Sequence, residues 1–262
     1  MADTLTNELR NRRPSARPIM SVVKPNIRCY ASASTLVEEA ARLIAERIVQ
    51  QVEERRRCRL ALAGGSTPRP VYQRLAQADL ARTIDWANVH VFWGDERCVS
   101  PDDDASNYRM AYSALLSQVP IIESNVHRIE VEQGSVAAAR LYAEILGDEP
   151  LDLVLLGMGG DGHTASLFPN STDLETSERV IPTRSRVVPF DRVSISLRQI
   201  NDACEVHLLV SGADKAERLA EVLQQIECDM PTLPAARVQP RSGLLFWLSD
   251  AAAAQQLAIS NH

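Results

Sequence analysis

Asp161 and His163 lie two residues apart in the stretch LDLVLLGMGGDGHTASLFP, residues 151–169, directly after a run of apolar residues. A neutral imidazole accepts a proton readily near pH 7, and a neighbouring carboxylate can orient it or help to position a water molecule. We expect His163 at the start of a helix, whose positive end disfavours the imidazolium form. The pair therefore predicts general-base chemistry with His163 and Asp161 as catalytic residues. A purely structural histidine is the alternative.

The glycines of the same stretch also spell G-x-G-x-x-G, the pattern of a dinucleotide-binding turn. Gly157, Gly159 and Gly162 occupy its three glycine positions. However, Asp161 would repel the phosphates of a dinucleotide that approached these glycines. The acid at about the expected spacing, Glu178, has no predicted strand ending beside it. The motif therefore does not indicate a nicotinamide or flavin enzyme.

A second stretch, GGSTP at residues 64–68, has the composition of a phosphate-binding loop. Thr67 is a good N-cap and Pro68 suits the first helical position, so backbone N–H groups should be free at a helix N-terminus. The two glycines let a ligand approach the backbone closely. Gly65, Ser66 and Thr67 are therefore predicted to bind a phosphate. A tight strand-to-helix turn without a ligand explains the same residues equally well.

Charged residues follow another predicted strand in GDER, residues 94–97. In parallel sheets, ligands bind where the carboxyl ends of the strands lead into loops. Charges at that edge are costly unless they are paired or functional. Asp95 and Arg97 are therefore candidate substrate-binding residues. The alternative is a surface ion pair between Arg97 and either Asp95 or Glu96.

Three further basic residues are candidates for binding an anion. Lys215, in SGADK, lies just inside a predicted helix N-terminus, where a cation opposes the helix dipole unless an anion lies beside it. Arg192 and Arg237 are candidates on weaker grounds. Solvated side chains are the alternative for all three.

Short apolar runs alternate with helical patterns along the rest of the chain. Thr35 and Glu38 form a capping-box pattern ahead of apolar residues at helical spacing. Continuous apolar strands separated by helices predict a single α/β domain with a mostly parallel sheet and helices on both faces. The run VSISL, residues 193–197, alternates instead and predicts an edge or antiparallel strand. The other predicted strands are 58–65, 89–96, 151–157, 205–212 and 243–250, and the helices between them are 68–80, 104–118, 135–147 and 214–226.

Composition excludes several classes of protein. The formal net charge of -6 argues against a nucleic-acid binder, which usually carries a basic face. No apolar run approaches the roughly 18 residues of a membrane span. Five scattered cysteines without a C-x-x-C pair, and no apolar segment of secretory type near the start, predict a reduced, cytoplasmic setting. Residues 1–28 lack any period and predict a flexible tail ahead of a domain at residues 29–262.

Seven short motifs follow one another along the chain: GGSTP (64–68), GDER (94–97), SNYRMA (106–111), GMGGDGHTASLFP (157–169), RVSISL (192–197), SGADK (211–215) and PAARVQP (234–240). In this order they resemble the signature segments of the 6-phosphogluconolactonase family. The resemblance extends from about residue 29 to the end of the chain. It implies a fold similar to that of glucosamine-6-phosphate isomerase and hydrolysis of 6-phospho-D-glucono-1,5-lactone in the oxidative pentose phosphate pathway.

The resemblance implies no metal ion and no organic cofactor, and its partner molecule is the phosphosugar lactone. We expect a monomer or a weak homo-oligomer. His163 would remove a proton from the attacking water, with Asp161 beside it. Asp95 would also belong to the substrate site. The residues expected to hold the 6-phosphate are Gly65, Ser66, Thr67, Arg97, Arg192 and Lys215.

Two other functions are alternatives. Glucosamine-6-phosphate deaminases resemble the chain at the same loops, but their pattern there reads like M-D-E for GDE and H-I-A-F-N-E-P for HTASLFP. The position of that family's catalytic glutamate is Phe168 here. A non-catalytic sugar-phosphate sensor would carry a DNA-binding domain, for which residues 1–28 are too short and irregular. Both departures favour the lactonase.

Overall fold

Strands and helices alternate through residues 25–184 and 190–257, the residues that this computed structural model describes. Short 3₁₀ turns connect several of them. In chain order the strands and α-helices are β1 (Asn26–Tyr30), α1 (Ala33–Arg55), β2 (Cys58–Leu62), α2 (Pro68–Leu75), α3 (Ala78–Ala81), β3 (Val89–Trp93), β4 (Asp95–Arg97), α4 (Asn107–Ala114), α5 (Ser135–Leu146), β5 (Leu153–Gly157), β6 (Val180–Arg184), β7 (Asp191–Ile195), α6 (Leu197–Asn201), β8 (Glu205–Val210), α7 (Ala216–Glu227), β9 (Leu244–Asp250) and α8 (Ala251–Ala254).

The main sheet has six strands in the order β1-β9-β8-β5-β2-β3, and every neighbouring pair is parallel. β2 and β8 are buried along their whole length, and β5 is buried except at its last residue. Strands buried on both sides require cover on both faces of the sheet, which explains why their sequences are continuously apolar rather than alternating. The prediction of one α/β domain with a mostly parallel sheet is confirmed.

A second, antiparallel sheet has three strands in the order β4-β7-β6. The strand predicted from the alternating run VSISL is β7, and its antiparallel pairing is confirmed. The strand predicted over residues 89–96 is in fact two strands, β3 and β4, because the chain passes from the main sheet to the second sheet at Gly94. Its N–H donates to the carbonyl of Leu62 in the main sheet, and its carbonyl accepts from the N–H of Ile195 in the second sheet.

The first helix begins earlier than its capping pattern predicts. The N-cap of α1 is Ser32, whose hydroxyl accepts from the backbone N–H of Thr35. Glu38 does not cap the helix; its carboxylate instead binds the guanidinium groups of Arg42 and Arg74. The capping-box prediction is therefore wrong, because a serine one turn earlier supplies the cap and Glu38 ties α1 to α2.

The edge strand β1 was not predicted. It pairs in parallel with β9 through backbone hydrogen bonds, and most of its side chains are exposed, so its sequence lacks the apolar signal of a buried strand. It begins at Asn26, inside the range that was predicted to be a tail. The first strand of the domain therefore starts three residues before residue 29, while residues 1–24 lie outside the described part of the chain.

None of the helices in the described ranges combines the length and the apolar character that crossing a membrane would require.

Candidate active site

A cleft opens at the carboxyl ends of β2, β3 and β5, with the loop after β8 at its side. Parallel neighbouring strands bring these loops together, which is why motifs far apart in the sequence meet here. Asp161 is exposed and is not among the lining residues of the described ranges. Eight of the nine predicted site residues line the cleft: Gly65, Ser66, Thr67, Asp95, Arg97, His163, Arg192 and Lys215.

His163 is oriented by Asp161. The Nδ1 atom of His163 lies 2.5 Å from Oδ1 of Asp161, and the same carboxylate oxygen accepts from the backbone N–H of His163 at 3.1 Å. Because a carboxylate only accepts, Nδ1 carries the proton of this hydrogen bond, and Nε2 is the ring nitrogen left without a contact to Asp161. The His163 side chain is 34% exposed and borders the cleft, so the imidazole is accessible to a ligand.

The carboxyl group of Asp161 remains ionised in this arrangement. Partial burial would raise its pKa, but the hydrogen bonds from the backbone and ring of His163 oppose burial, and the pKa is lowered. An anion at this position favours the tautomer with the proton on Nδ1 and would stabilise an imidazolium formed on proton uptake.

His163 does not begin a helix, contrary to the prediction. Gly162, with φ of 85°, and Ala165, with φ of 48°, have left-handed conformations that an α-helix does not contain. Ser166 is instead drawn into tertiary hydrogen bonds, in which its hydroxyl donates to Asp95 at 2.5 Å and its N–H donates to the Ser194 hydroxyl at 3.2 Å. Asp161, rather than a helix terminus, therefore sets the chemistry of the ring.

Gly159 makes room for the imidazole. A Cβ atom built on Gly159 would lie 2.1 Å from both Nδ1 and Cε1 of His163. The backbone N–H of Gly159 also donates to the carbonyl of His163 at 2.9 Å, which closes the loop on itself. On the other side, the ring of Phe168 packs against His163 with the centroids 5.1 Å apart. The imidazole is thus held between a glycine and an aromatic ring.

The GGSTP loop leads into α2 as predicted, with Thr67 at the N-cap position and Pro68 as the first helical residue. The Thr67 side chain makes no capping hydrogen bond, so its hydroxyl is not committed to the helix. Gly65 has φ of 105°, a conformation that favours glycine. The buried Tyr72 hydroxyl bonds to both the N–H and the carbonyl of Ala63 at 2.9 Å, which anchors the loop to α2.

Two arginines from the second sheet face the cleft. Arg192 is buried, and its Nη1 lies 3.8 Å from Oδ2 of Asp95 and 3.4 Å from the Ser166 hydroxyl. Burial lowers its pKa, while the charge of Asp95 opposes this effect. Arg97 donates to the carbonyl of Ala105 through Nη1. The Nε atoms of Arg97 and Arg192 are buried and have no hydrogen-bond partner within the described ranges, and both guanidinium groups bring positive charge to the cleft.

The acids of GDER do not form the surface ion pair with Arg97 that was the alternative, as far as the described residues go. Glu96 is buried and accepts from the backbone N–H groups of Asn107 and Tyr108, both at 2.8 Å, at the start of α4. Burial raises the pKa of Glu96, and these backbone hydrogen bonds oppose the rise. Glu96 therefore positions α4, and Asp95 alone faces the cleft.

Lys215 and Arg237 differ in their placement. Lys215 is the N-cap residue of α7 and lines the cleft, with its Nζ 3.2 Å from the exposed carboxylate of Asp214. Arg237 binds Glu175 at 2.7 Å and is not among the lining residues of the described ranges. The structure therefore brings Lys215, but not Arg237, to the site.

Sequence reasoning missed Asn107 and Ser166. Asn107 is buried, lines the cleft and donates to Asp95, as Ser166 does. Gly64 was expected to admit a ligand, but a Cβ at that position would lie 1.8 Å from Oδ1 of Asn107, so it makes room for this side chain. The sequence signal for Asn107 is its place in the motif SNYRMA, shortly after GDER.

The cleft is positively charged within an acidic protein. Three cations line it, against one carboxylate, Asp95, among the described lining residues. That carboxylate is satisfied by donors from Asn107 and Ser166. The arrangement therefore suits an anionic ligand beside an oriented imidazole that accepts protons. In the described ranges, no three His, Cys, Asp or Glu side chains are grouped to hold a metal ion.

Comparison with known proteins agrees with this geometry. The model of the family described as glucosamine-6-phosphate isomerases/6-phosphogluconolactonase matches residues 31–247. A 6-phosphogluconolactonase from Nostoc sp. is 36% identical over 247 residues, which cover 90% of this chain and 100% of the relative. One from Synechocystis sp. is 37% identical over 243 residues, covering 89% and 98%.

Solved structures give the same result. The crystal structure of 6-phosphogluconolactonase from Thermotoga maritima has a TM-score of 0.76 and 30% identity, and covers 86% of this chain and 100% of its own. A monomeric glucosamine-6-phosphate deaminase, at 22% identity and a TM-score of 0.75, covers 88% of this chain and 99% of its own and shares the fold. The chain therefore belongs to the glucosamine-6-phosphate isomerase/6-phosphogluconolactonase family.

Proposed function

We propose that this protein hydrolyses 6-phospho-D-glucono-1,5-lactone to 6-phospho-D-gluconate in the oxidative pentose phosphate pathway. The observation that carries the proposal is the imidazole of His163, whose Nδ1 is tied to Asp161 and whose ring borders a cleft with three cations. Relatives of similar length that bear the name 6-phosphogluconolactonase support it.

The phosphate group of the lactone holds the substrate in the cleft. Arg97, Arg192 and Lys215 supply positive charge, and the loop Gly65–Thr67 supplies backbone and hydroxyl donors. Fixing the phosphate orients the lactone carbonyl relative to His163 and converts the reaction with water into one between held partners. All of these groups come from one chain, so the proposed site requires no second copy.

The reaction needs one base. Nε2 of His163 takes a proton from water as its oxygen attacks the lactone carbonyl carbon, and the ring becomes an imidazolium. When the bond from that carbon to the ring oxygen breaks, Nε2 returns the proton to the departing oxygen. The carboxylic acid product then ionises and releases one proton to solvent. Asp161 stays ionised throughout and balances the imidazolium charge.

Phe168 supports hydrolysis rather than deamination of an aminosugar phosphate. Its ring lies against His163 and has no group that could donate or accept a proton. Opening an aminosugar ring requires the carboxylate that the deaminase pattern has at this position. We place the activity in the cytoplasm, in keeping with the cysteine pattern of the sequence.

Two assays run side by side test the proposal. Proton release from freshly prepared 6-phosphogluconolactone should exceed the spontaneous rate, while glucosamine 6-phosphate should yield no ammonia. His163→Ala should lower kcat by about 10²- to 10⁴-fold and leave KM nearly unchanged, because the base is lost but the anion site remains. Ammonia release would establish the deaminase instead. Activity in neither assay would favour a sensor, and an unchanged kcat in His163→Ala would refute the mechanism.

A further inference from the structure

Asn107 presents an oriented carbonyl oxygen to the cleft. The residue opens α4 and is 2% exposed. Its Nδ2 donates to the backbone carbonyl of Asp95 at 2.9 Å and to Oδ1 of Asp95 at 3.1 Å. Both of these atoms only accept hydrogen bonds, so the amide nitrogen must face them and Oδ1 must point the other way.

The oxygen Oδ1 of Asn107 has no donor within the described ranges. It is not one of the fully buried orphaned polar atoms of these ranges, and the residue lines the cleft, so the oxygen keeps an open side there. Gly64 borders it, because a Cβ on Gly64 would lie 1.8 Å away. A nearly buried acceptor without a donor therefore lies at the cleft, next to the loop that is proposed to bind the phosphate.

The position of this oxygen is held firmly. The Asp95 carboxylate that fixes the amide is itself buried and accepts from the Ser166 hydroxyl at 2.5 Å. The backbone N–H of Asn107 donates to Glu96 at 2.8 Å. An acceptor whose support is this rigid costs little to order when a ligand binds, so it discriminates well between ligands that carry a matching donor and ligands that lack it.

A carbonyl oxygen repels the oxygens of a phosphate but matches a hydroxyl group. The lactone carries three hydroxyls, on C2, C3 and C4, beyond its phosphate. We infer that Asn107 is a specificity-determining residue whose Oδ1 accepts a hydrogen bond from one of these hydroxyls. The inference rests on the proposed function and adds to it the recognition of the sugar ring.

The test uses substrates that lack one hydroxyl each. kcat/KM is measured for 6-phosphogluconolactone and for its 2-deoxy, 3-deoxy and 4-deoxy analogues. The wild-type protein should use one analogue about tenfold less well than the parent lactone. Asn107→Ala should reduce that preference to about one. Gly64→Ala should do the same, because its methyl group displaces Oδ1 while the asparagine stays in place.

Ser166→Ala is the matched control. It also removes one donor from Asp95, but it leaves both hydrogen bonds that orient the Asn107 amide in place, so the preference should persist even where overall activity falls. Melting temperatures identify folded variants, and Asn107→Ala and Gly64→Ala perturb the oxygen from opposite sides. Equal use of all four lactones by the wild type, or an unaltered preference in a folded Asn107→Ala protein, would overturn the inference.

A second measurement distinguishes failure of this inference from failure of the proposed function. If the wild type hydrolyses no lactone, the same comparison is made by calorimetry with 6-phosphogluconate and its three deoxy forms. A binding preference that disappears in Asn107→Ala would support recognition of the hydroxyl without hydrolysis. Equal binding of all four compounds would overturn the inference that Asn107 recognises a hydroxyl group.

Discussion

Replacing Gly159 by alanine should disable the proposed base without altering its side chain. The new Cβ would lie 2.1 Å from Nδ1 and Cε1 of His163, whereas ordinary contact begins at about 3.4 Å. The imidazole must therefore retreat by about 1.3 Å. The backbone of Gly159 lies outside the left-handed region, so alanine adds a steric conflict with the ring rather than backbone strain.

A displacement of this size is enough to uncouple the ring from a held substrate. Misplacing a reacting group by about 1 Å costs about 10²-fold in rate. The same methyl group would lie 2.8 Å from Oδ1 of Asp161, so the hydrogen bond that orients His163 is disturbed as well. We expect kcat to fall by about 100-fold. KM should change little, because Gly159→Ala leaves the cations of the cleft intact.

Proton release from fresh lactone measures the effect, and Gly160→Ala is the control. It makes the same substitution one residue further along, where the nearest atom to the new Cβ, Nζ of Lys215, lies at an ordinary 3.7 Å. Gly160→Ala should keep wild-type kcat. Equal kcat values for Gly159→Ala, Gly160→Ala and the wild type would show that the position of His163 does not control turnover.

Three other predictions follow from the same structure. Asp161→Asn should lower kcat by about 10- to 100-fold with KM preserved, since a charge-assisted hydrogen bond to the base is lost; wild-type kcat would contradict this. Arg192→Ala and Lys215→Ala should mainly raise KM in steady-state assays, while Arg237→Ala, away from the cleft, should not. Hydrogen bonds from its two arginine partners lower the pKa of Glu38 to about 2, so Glu38→Gln should reduce the melting temperature at pH 7. That difference should shrink as pH falls from about 4.5 to about 2, because the wild-type carboxylate then becomes protonated in the folded state too; a difference that stays constant with pH would rule out this ion pair as its cause.

The place of the site could be predicted because parallel strands present their carboxyl ends at one edge. GGSTP follows β2, GDER follows β3 and GGDGH follows β5, and these three strands are neighbours in the sheet. The hydrophobic periodicity of a sequence does not determine the order of strands in a sheet, so only the structure shows that these three strands are adjacent. The change of sheet at Gly94 was also hidden, because an apolar strand that runs on into another sheet has the same local pattern as one long strand.

Contacts between distant residues could not be predicted in the same way. The hydrogen bond between Asp95 and Ser166 joins residues 71 positions apart. Local composition around Ser166 permits a helix, which is why a helix was predicted from His163, but this tertiary bond and the left-handed Ala165 prevail over propensity. Asn107 was missed for a related reason, since its role comes from the space above Gly64 rather than from its neighbours in sequence.

Phe168 lies beside both the proposed base, His163, and one of the proposed phosphate-binding residues, Arg192. Its ring packs 5.1 Å from His163, and the guanidinium carbon of Arg192 lies 5.9 Å from its centroid. An apolar ring cannot neutralise Arg192 or share a proton with His163, so it leaves the cation to a phosphate and the imidazole to a water molecule. A carboxylate at this position would pair with Arg192 and compete for both roles. The phenylalanine therefore suits a site that activates water, and an acid there would suit a site that shuttles protons to an aminosugar.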